Sequence, residues 1–110
     1  MVDLSNQLSG ILLTMDEIIN DKAQLALFLK ELIIRTLRLE EIAPQDIDDS
    51  APLFKEGLGL DSLDALELVV ALEKNFKIII PDEHVGREAF ASVNALVDYV
   101  QRESATKVSD

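Results

Sequence analysis

The sequence predicts an all-α domain. It reads as a small four-helix bundle, three longer helices and one short, with a long loop between the first two and an additional helix at the amino terminus. Three observations carry this. Apolar residues recur three and four positions apart in several segments, the spacing that lines one face of a helix. The one strand-like run, Ile78-Ile79-Ile80, has no partner run and is followed at once by Pro81. Proline, glycine and aspartate gather in one segment, residues 40–60, which leaves long uninterrupted stretches on either side. With 110 residues and 48% hydrophobic content, the chain can build one core and is too short for two domains.

The elements follow in order. Leu4, Leu8, Ile11, Leu12, Met15, Ile18 and Ile19 share a face, with Gly10 as a weak point. Asn20-Asp21 supplies a break and a new cap. From Lys22, a second helix presents Leu25, Phe28, Leu29, Leu32, Ile33 and Leu37, and ends near Arg38 or Leu39, before Pro44. Residues 40–60 lack a period, yet Ile42, Ile47, Leu53, Phe54, Leu58 and Leu60 are too apolar for disorder and predict a loop packed on the core. A third helix spans Asp61 to Phe76, with Asp61 or Ser62 able to cap its start, and is rich in helix formers. Residues 78–80 form an extended connector, Pro81-Asp82-Glu83 starts a short helical turn that Gly86 weakens, and a last helix runs from about Ser92 to Arg102 with Val93, Leu96, Val97 and Val100 inward. The implied organisation is an amphipathic extension over 1–20, a domain over 21–103, and a disordered tail over 104–110.

Composition excludes several function classes. The net charge is −11, from 21 acidic and 10 basic residues, which argues against nucleic acid or anionic lipid as a partner. Ten of the carboxylates fall between Glu40 and Glu73, where Lys55 is the only basic residue. Such a field serves solubility, and it also suits basic partner proteins met and released quickly. No cysteine is present, so disulfides, thiolate metal sites and cysteine nucleophiles are excluded, while the redox compartment stays undetermined. No run approaches the roughly 20 apolar residues of a spanning helix, and no signal-peptide pattern opens the chain. The expectation is a cytoplasmic monomer with no membrane insertion.

The helix beginning at Ser62 carries two apolar stripes. At about 100° per residue from Ser62, Ala65, Leu68, Val69, Leu72 and Phe76 fall between about 240° and 340°, the core face. Leu66, Val70 and Leu63 fall at about 40°, 80° and 100°, bordered or interrupted by Glu67, Glu73 and Lys74. Either the helix is buried on both sides, or the second stripe is a recognition patch ringed by carboxylates.

Ser62 stands between these stripes and allows three readings. By residue type it fits a helix cap. As a nucleophile it needs a base; His84 is the only histidine, and GLGLDSL does not match the G-x-S-x-G elbow, since Leu60 and Asp64 occupy the flanking positions. As the target of another enzyme's chemistry it would carry a phosphoester at a helix amino terminus, where free N–H groups favour negative charge. Asp61 and Asp64 oppose that charge unless a divalent cation bridges them to the phosphate.

The segment LFKEGLGLDSLDALELVVALEKNFKIIIPDE closely resembles the heart of acyl carrier proteins. The matching positions are Phe54, Leu58-Gly59-Leu60, Asp61-Ser62-Leu63, Glu67-Leu68-Val69, Leu72-Glu73 and Ile80-Pro81. The likeness extends over roughly residues 21–103, and although DSL alone is weak, its thirty-residue context is specific. The resemblance implies that Ser62 is the attachment point of a 4′-phosphopantetheine arm, transferred from coenzyme A by a phosphopantetheinyl transferase that uses Mg²⁺. It implies that Asp61 helps at that metal site, and that the arm's thiol carries acyl groups as thioesters. It further implies that Leu63, Asp64, Leu66, Glu67, Val70 and Glu73 are read by acyl-transferring and synthase enzymes with basic docking patches, and that the core stripe lines a cavity for the acyl chain. The carrier would be no enzyme itself and would serve fatty acid, lipid or polyketide-type synthesis.

Three departures set this chain apart. Gly57-Leu58 stands where the family often has Asp-Leu, Lys74 and Lys77 replace residues that are often acidic, and the first twenty residues have no counterpart in the shortest members. Met15 offers an alternative start; if the segment is real, Leu8, Ile11, Leu12 and Met15 cap the bundle or dock on a dedicated partner. Together these point to a specialised carrier. Competing readings are a peptidyl or aminoacyl carrier, whose motif is more often Gly-Gly-x-Ser, and a non-enzymatic adaptor that binds through its acidic helix. A calcium loop over Asp46, Asp48 and Asp49 is disfavoured by Pro52 and by Ala51 at the position that needs glycine.

Overall fold

A computed structural model describes residues 14–53 and 60–108. Among the described residues there are five α-helices and no β-strand: α1 (Met15–Asn20), α2 (Lys22–Leu37), α3 (Ser62–Phe76), α4 (Glu83–Ala89) and α5 (Val93–Val108), with a 3₁₀ turn at Pro44–Asp46. The fold is thus the expected all-α bundle. Residues 4–13 of the expected first helix, and Phe54, Lys55, Gly57, Leu58 and Gly59 of the loop, lie outside the described residues.

Local chemistry explains each boundary. Thr14 and Glu17 form a reciprocal capping box at the start of α1. Asp21 then breaks the chain and caps α2, its Oδ1 accepting from the N–H groups of Ala23 and Gln24. α2 and α3 both end on left-handed residues, Arg38 (φ 56°) and Lys77 (φ 57°), a conformation glycine would adopt with less strain. Asp82 caps α4 through Val85 N–H, and Ser92 caps α5 through Ala95 N–H.

The core gathers Leu25, Leu29, Leu32 and Ile33 of α2, Leu68, Leu72 and Phe76 of α3, and Val93, Leu96, Val97 and Val100 of α5. Phe28 meets Phe76 edge-on at 5.5 Å. Ile47, Leu53 and Leu60 are buried too, so the described parts of the loop are packed down as their composition requires. The loop is clipped in place by an ion pair between Lys30 and Asp49, by Asn94 N–H to Asp49 O at 3.0 Å, and by Leu53 N–H to Ala91 O at 3.3 Å.

Two sequence expectations change. The last helix continues past Arg102 to Val108, so 104–108 are helical, and Ser104 is buried. The extension leaves from a held segment: Ser104 is buried, and just before it Gln101 Nε2 donates to Ile19 O at 2.8 Å, where α1 packs against α5. Gly86 does not confine α4 to a weak turn, because it sits buried inside the helix. A Cβ built at Gly86 would meet Ile80 Cγ2 at 3.7 Å, ordinary contact. Gly86→Ala is therefore expected to stabilise the fold by about 0.5–1 kcal/mol, measured as a higher urea midpoint at unchanged slope.

Candidate functional site

The site begins where the loop rejoins the core. Leu60 is buried, and its N–H reaches Leu53 O at 3.4 Å, anchoring the chain immediately before the third helix. Asp61 is the cap of α3: its Oδ1 accepts from Asp64 N–H at 3.0 Å, and Asp64 Oδ2 accepts from Asp61 N–H at 3.1 Å. This reciprocal box satisfies two backbone donors and places carboxylates at the positive end of the helix. It also corrects the reading of Ser62 as a cap. Ser62 is the first helical residue, exposed, and its hydroxyl makes no hydrogen bond to another described residue.

The second apolar stripe stays in solvent. Leu63 is 71%, Leu66 61% and Val70 47% exposed, whereas Leu68, Leu72 and Phe76 are buried. Burial of α3 on both sides is thereby excluded within the described chain. Glu67 is exposed and Asp64 half-buried beside them. Glu73 behaves differently: it is half-buried, and its Oε2 accepts from Ile80 N–H at 3.1 Å, tying α3 to the connector that leads into α4.

Sequence reasoning missed the other end of that tie. Tyr99, on α5, donates its hydroxyl to Ile79 O at 3.1 Å and is buried. Burial, then the charge of Glu103, pushes its phenol above the ordinary value near 10, while Arg102, stacked over the ring, pulls the other way. A phenol raised in the fold adds stability below pH about 10 that is lost as pH climbs through the folded value. Tyr99→Phe is expected to cost about 1 kcal/mol near neutrality and to remove this alkaline loss. Tyr99 is the only tyrosine, so phenolate absorbance follows it directly.

The alternative chemistries find no geometry. His84 pairs with Glu88 along α4 at 3.4 Å, and Ser62 has no base hydrogen-bonded to it among the described residues. The three loop aspartates are spent separately: Asp46 accepts from Ala43 N–H, Asp48 from Ser50 N–H, and Asp49 pairs with Lys30. No group of three or more potential metal ligands converges among the described residues. No described helix is long and apolar enough to cross a membrane.

The site is thus an uncommitted hydroxyl at a helix start, beside a solvent-exposed apolar patch with carboxylates. Residues 28–100 match the family described as phosphopantetheine attachment site. The chain is also 40% identical over 73 residues to the acyl carrier protein of Wolinella succinogenes, a match covering 66% of this chain and 88% of that one. This chain belongs to the acyl carrier protein family, whose covalently attached prosthetic group is 4′-phosphopantetheine.

Proposed function

We propose that Ser62 carries the phosphopantetheine arm and that the chain presents acyl thioesters to enzymes of one specialised synthetic pathway, of fatty acid, lipid or polyketide type. One observation carries this: Asp61 takes the capping role, which leaves the Ser62 hydroxyl exposed and uncommitted at the first turn of α3. The residues present fit the group. A phosphoester on Ser62 Oγ lies at a helix amino terminus, where the dipole offsets part of its charge. Asp61, adjacent in sequence, supplies a carboxylate to the Mg²⁺ of the phosphopantetheinyl transferase, which relieves the repulsion from Asp61 and Asp64. When bound, the group supplies a terminal thiol, chemistry this cysteine-free chain lacks.

The chain's own residues bind and orient; they catalyse nothing. Leu63, Leu66 and Val70 give partner enzymes a desolvatable patch, and Asp64 and Glu67 steer their basic surfaces onto it. The stripe of Leu68, Leu72 and Phe76 shelters the acyl chain in transit. The protein works as a cytoplasmic monomer. Acyl loading tests the reading: protein bearing the arm should accept an acyl group that neutral hydroxylamine releases, and Ser62→Ala should accept none. Loading of Ser62→Ala, or an acyl bond that resists hydroxylamine, contradicts it.

A further inference from the structure

The exposed face of α3 does not keep one sign of charge along its length. Asp61 and Asp64 stand at its start, and Glu67 follows within a turn. The last turn instead holds Lys74, which is exposed and forms no ion pair with another described residue. Lys74 falls at about 120° on the helical wheel, between Val70 at about 80° and Glu67 at about 140°, so it stands on the face itself. Lys77, the residue that ends the helix, is exposed as well. The carboxylates nearby are committed: Glu73 is half-buried and accepts from Ile80 N–H, and Asp82 caps α4. The helix dipole favours a lysine in any last turn, but it does not account for what lies beside this one.

Beside it is Ile79, 72% exposed, although Ile78 and Ile80 on either side are buried. Its backbone is held from two sides, by Tyr99 through Ile79 O and by Glu73 through Ile80 N–H. A fixed backbone thus keeps an isoleucine in water, where covering it costs little further ordering. Glu73, at about 20° on the wheel, reaches this connector, so the connector runs along the edge of α3 that Leu66 shares at about 40°. Ile79 therefore extends the apolar patch of Leu66 and Val70 towards the basic end.

We propose that this face selects partners by a reversal of charge. The complementary protein surface carries arginine or lysine against Asp64 and Glu67, an apolar seat for Leu66, Val70 and Ile79, and carboxylates against Lys74 and Lys77. That such a partner handles acyl groups rests on the carrier reading; the two-signed complement does not. A surface that is basic throughout gains at the first turn and is repelled at the last, so the last turn discriminates between partners. The net charge of −11 on each copy opposes a second copy of this chain as the occupant.

A hydrocarbon-stapled synthetic helix of no net charge tests this, with a leucine face, two arginines at one end and two glutamates at the other. It is titrated at low salt onto the full, unmodified chain and followed by nuclear magnetic resonance. A nitroxide at the glutamate end should broaden the amides of Lys74 and Ile79, and one at the arginine end those of Leu63 and Asp64. Changing both lysines, Lys74→Glu with Lys77→Glu, should abolish that order, and Lys74→Glu alone should weaken it, with unshifted Leu29 and Ile33 amides reporting an intact fold. Ile79→Ala should weaken binding about 3-fold, and Leu27→Ala, exposed on α2, should leave it unchanged. A helix that seats in both orientations alike on the wild type, keeps its order on the double variant, or does not seat on α3 overturns the proposal. Nothing in this test involves Ser62, so a kept order beside failed arm transfer removes the carrier reading and leaves the two-signed face standing.

Discussion

Leu72→Ala is expected to cost about 3–4 kcal/mol, a large part of the stability of a domain this size. Leu72 is 1% exposed at the middle of the α3 core stripe, in the core where α3 packs against α2. Truncation removes the transfer energy of the lost methyl groups and leaves a space that rigid helices close only in part. Urea unfolding followed by far-UV circular dichroism measures the loss. Leu66→Ala is the control: Leu66 lies on the same helix but is 61% exposed, and its truncation should change stability by less than about 0.5 kcal/mol. The pair separates a stripe that builds the fold from one kept for visitors. In the proposed carrier, an acyl chain fills part of the space left in Leu72→Ala, so acylation should raise its melting temperature more than that of the wild type.

The second large effect is at Asp61, where two roles share one carboxylate. As a cap it accepts from Asp64 N–H; as proposed, its charge serves the transferase metal. Asparagine caps about as well as aspartate but carries no charge. Asp61→Asn should therefore stay folded, within about 0.5 kcal/mol of wild type, while arm transfer slows on the order of 100-fold. Asp61→Ala should lose the cap as well, at about 1 kcal/mol. Transfer rates followed by intact mass decide it, and a wild-type rate for Asp61→Asn would reduce Asp61 to a cap alone.

Much of this architecture is written locally. The period of α2, α3 and the start of α5 follows from apolar spacing because each buries one face, and Leu25, Leu29, Leu68, Leu72, Val93 and Val100 lie where that spacing puts them. That α3 carries two apolar stripes, one of them the core face, was legible for the same reason; that the second stays in solvent was left open by spacing and is decided by the exposure of Leu63, Leu66 and Val70. The cap was ambiguous because Asp61 and Ser62 both cap well; the acidic residue three positions after Asp61 was the signal that favoured it. Long-range contacts left no such mark. The tie of Gln101 on α5 to Ile19 O on α1 spans 82 residues of sequence, and the hold of Tyr99 on Ile79 spans twenty. Glu73 shows the limit of a helical wheel, which gives a side chain's direction and not the backbone group it meets. The left-handed ends at Arg38 and Lys77 were invisible because neither is glycine.

The central claim is that Ser62 is the attachment point. The direct measurement is intact mass after incubating the unmodified protein with coenzyme A, Mg²⁺ and a broad-specificity phosphopantetheinyl transferase, beside Ser62→Ala. A gain of one phosphopantetheine by the wild type and none by the variant is the predicted result. Folded wild type that gains nothing with several transferases, or a variant that gains as much, would contradict it and leave an adaptor that binds through its acidic helix as the better account.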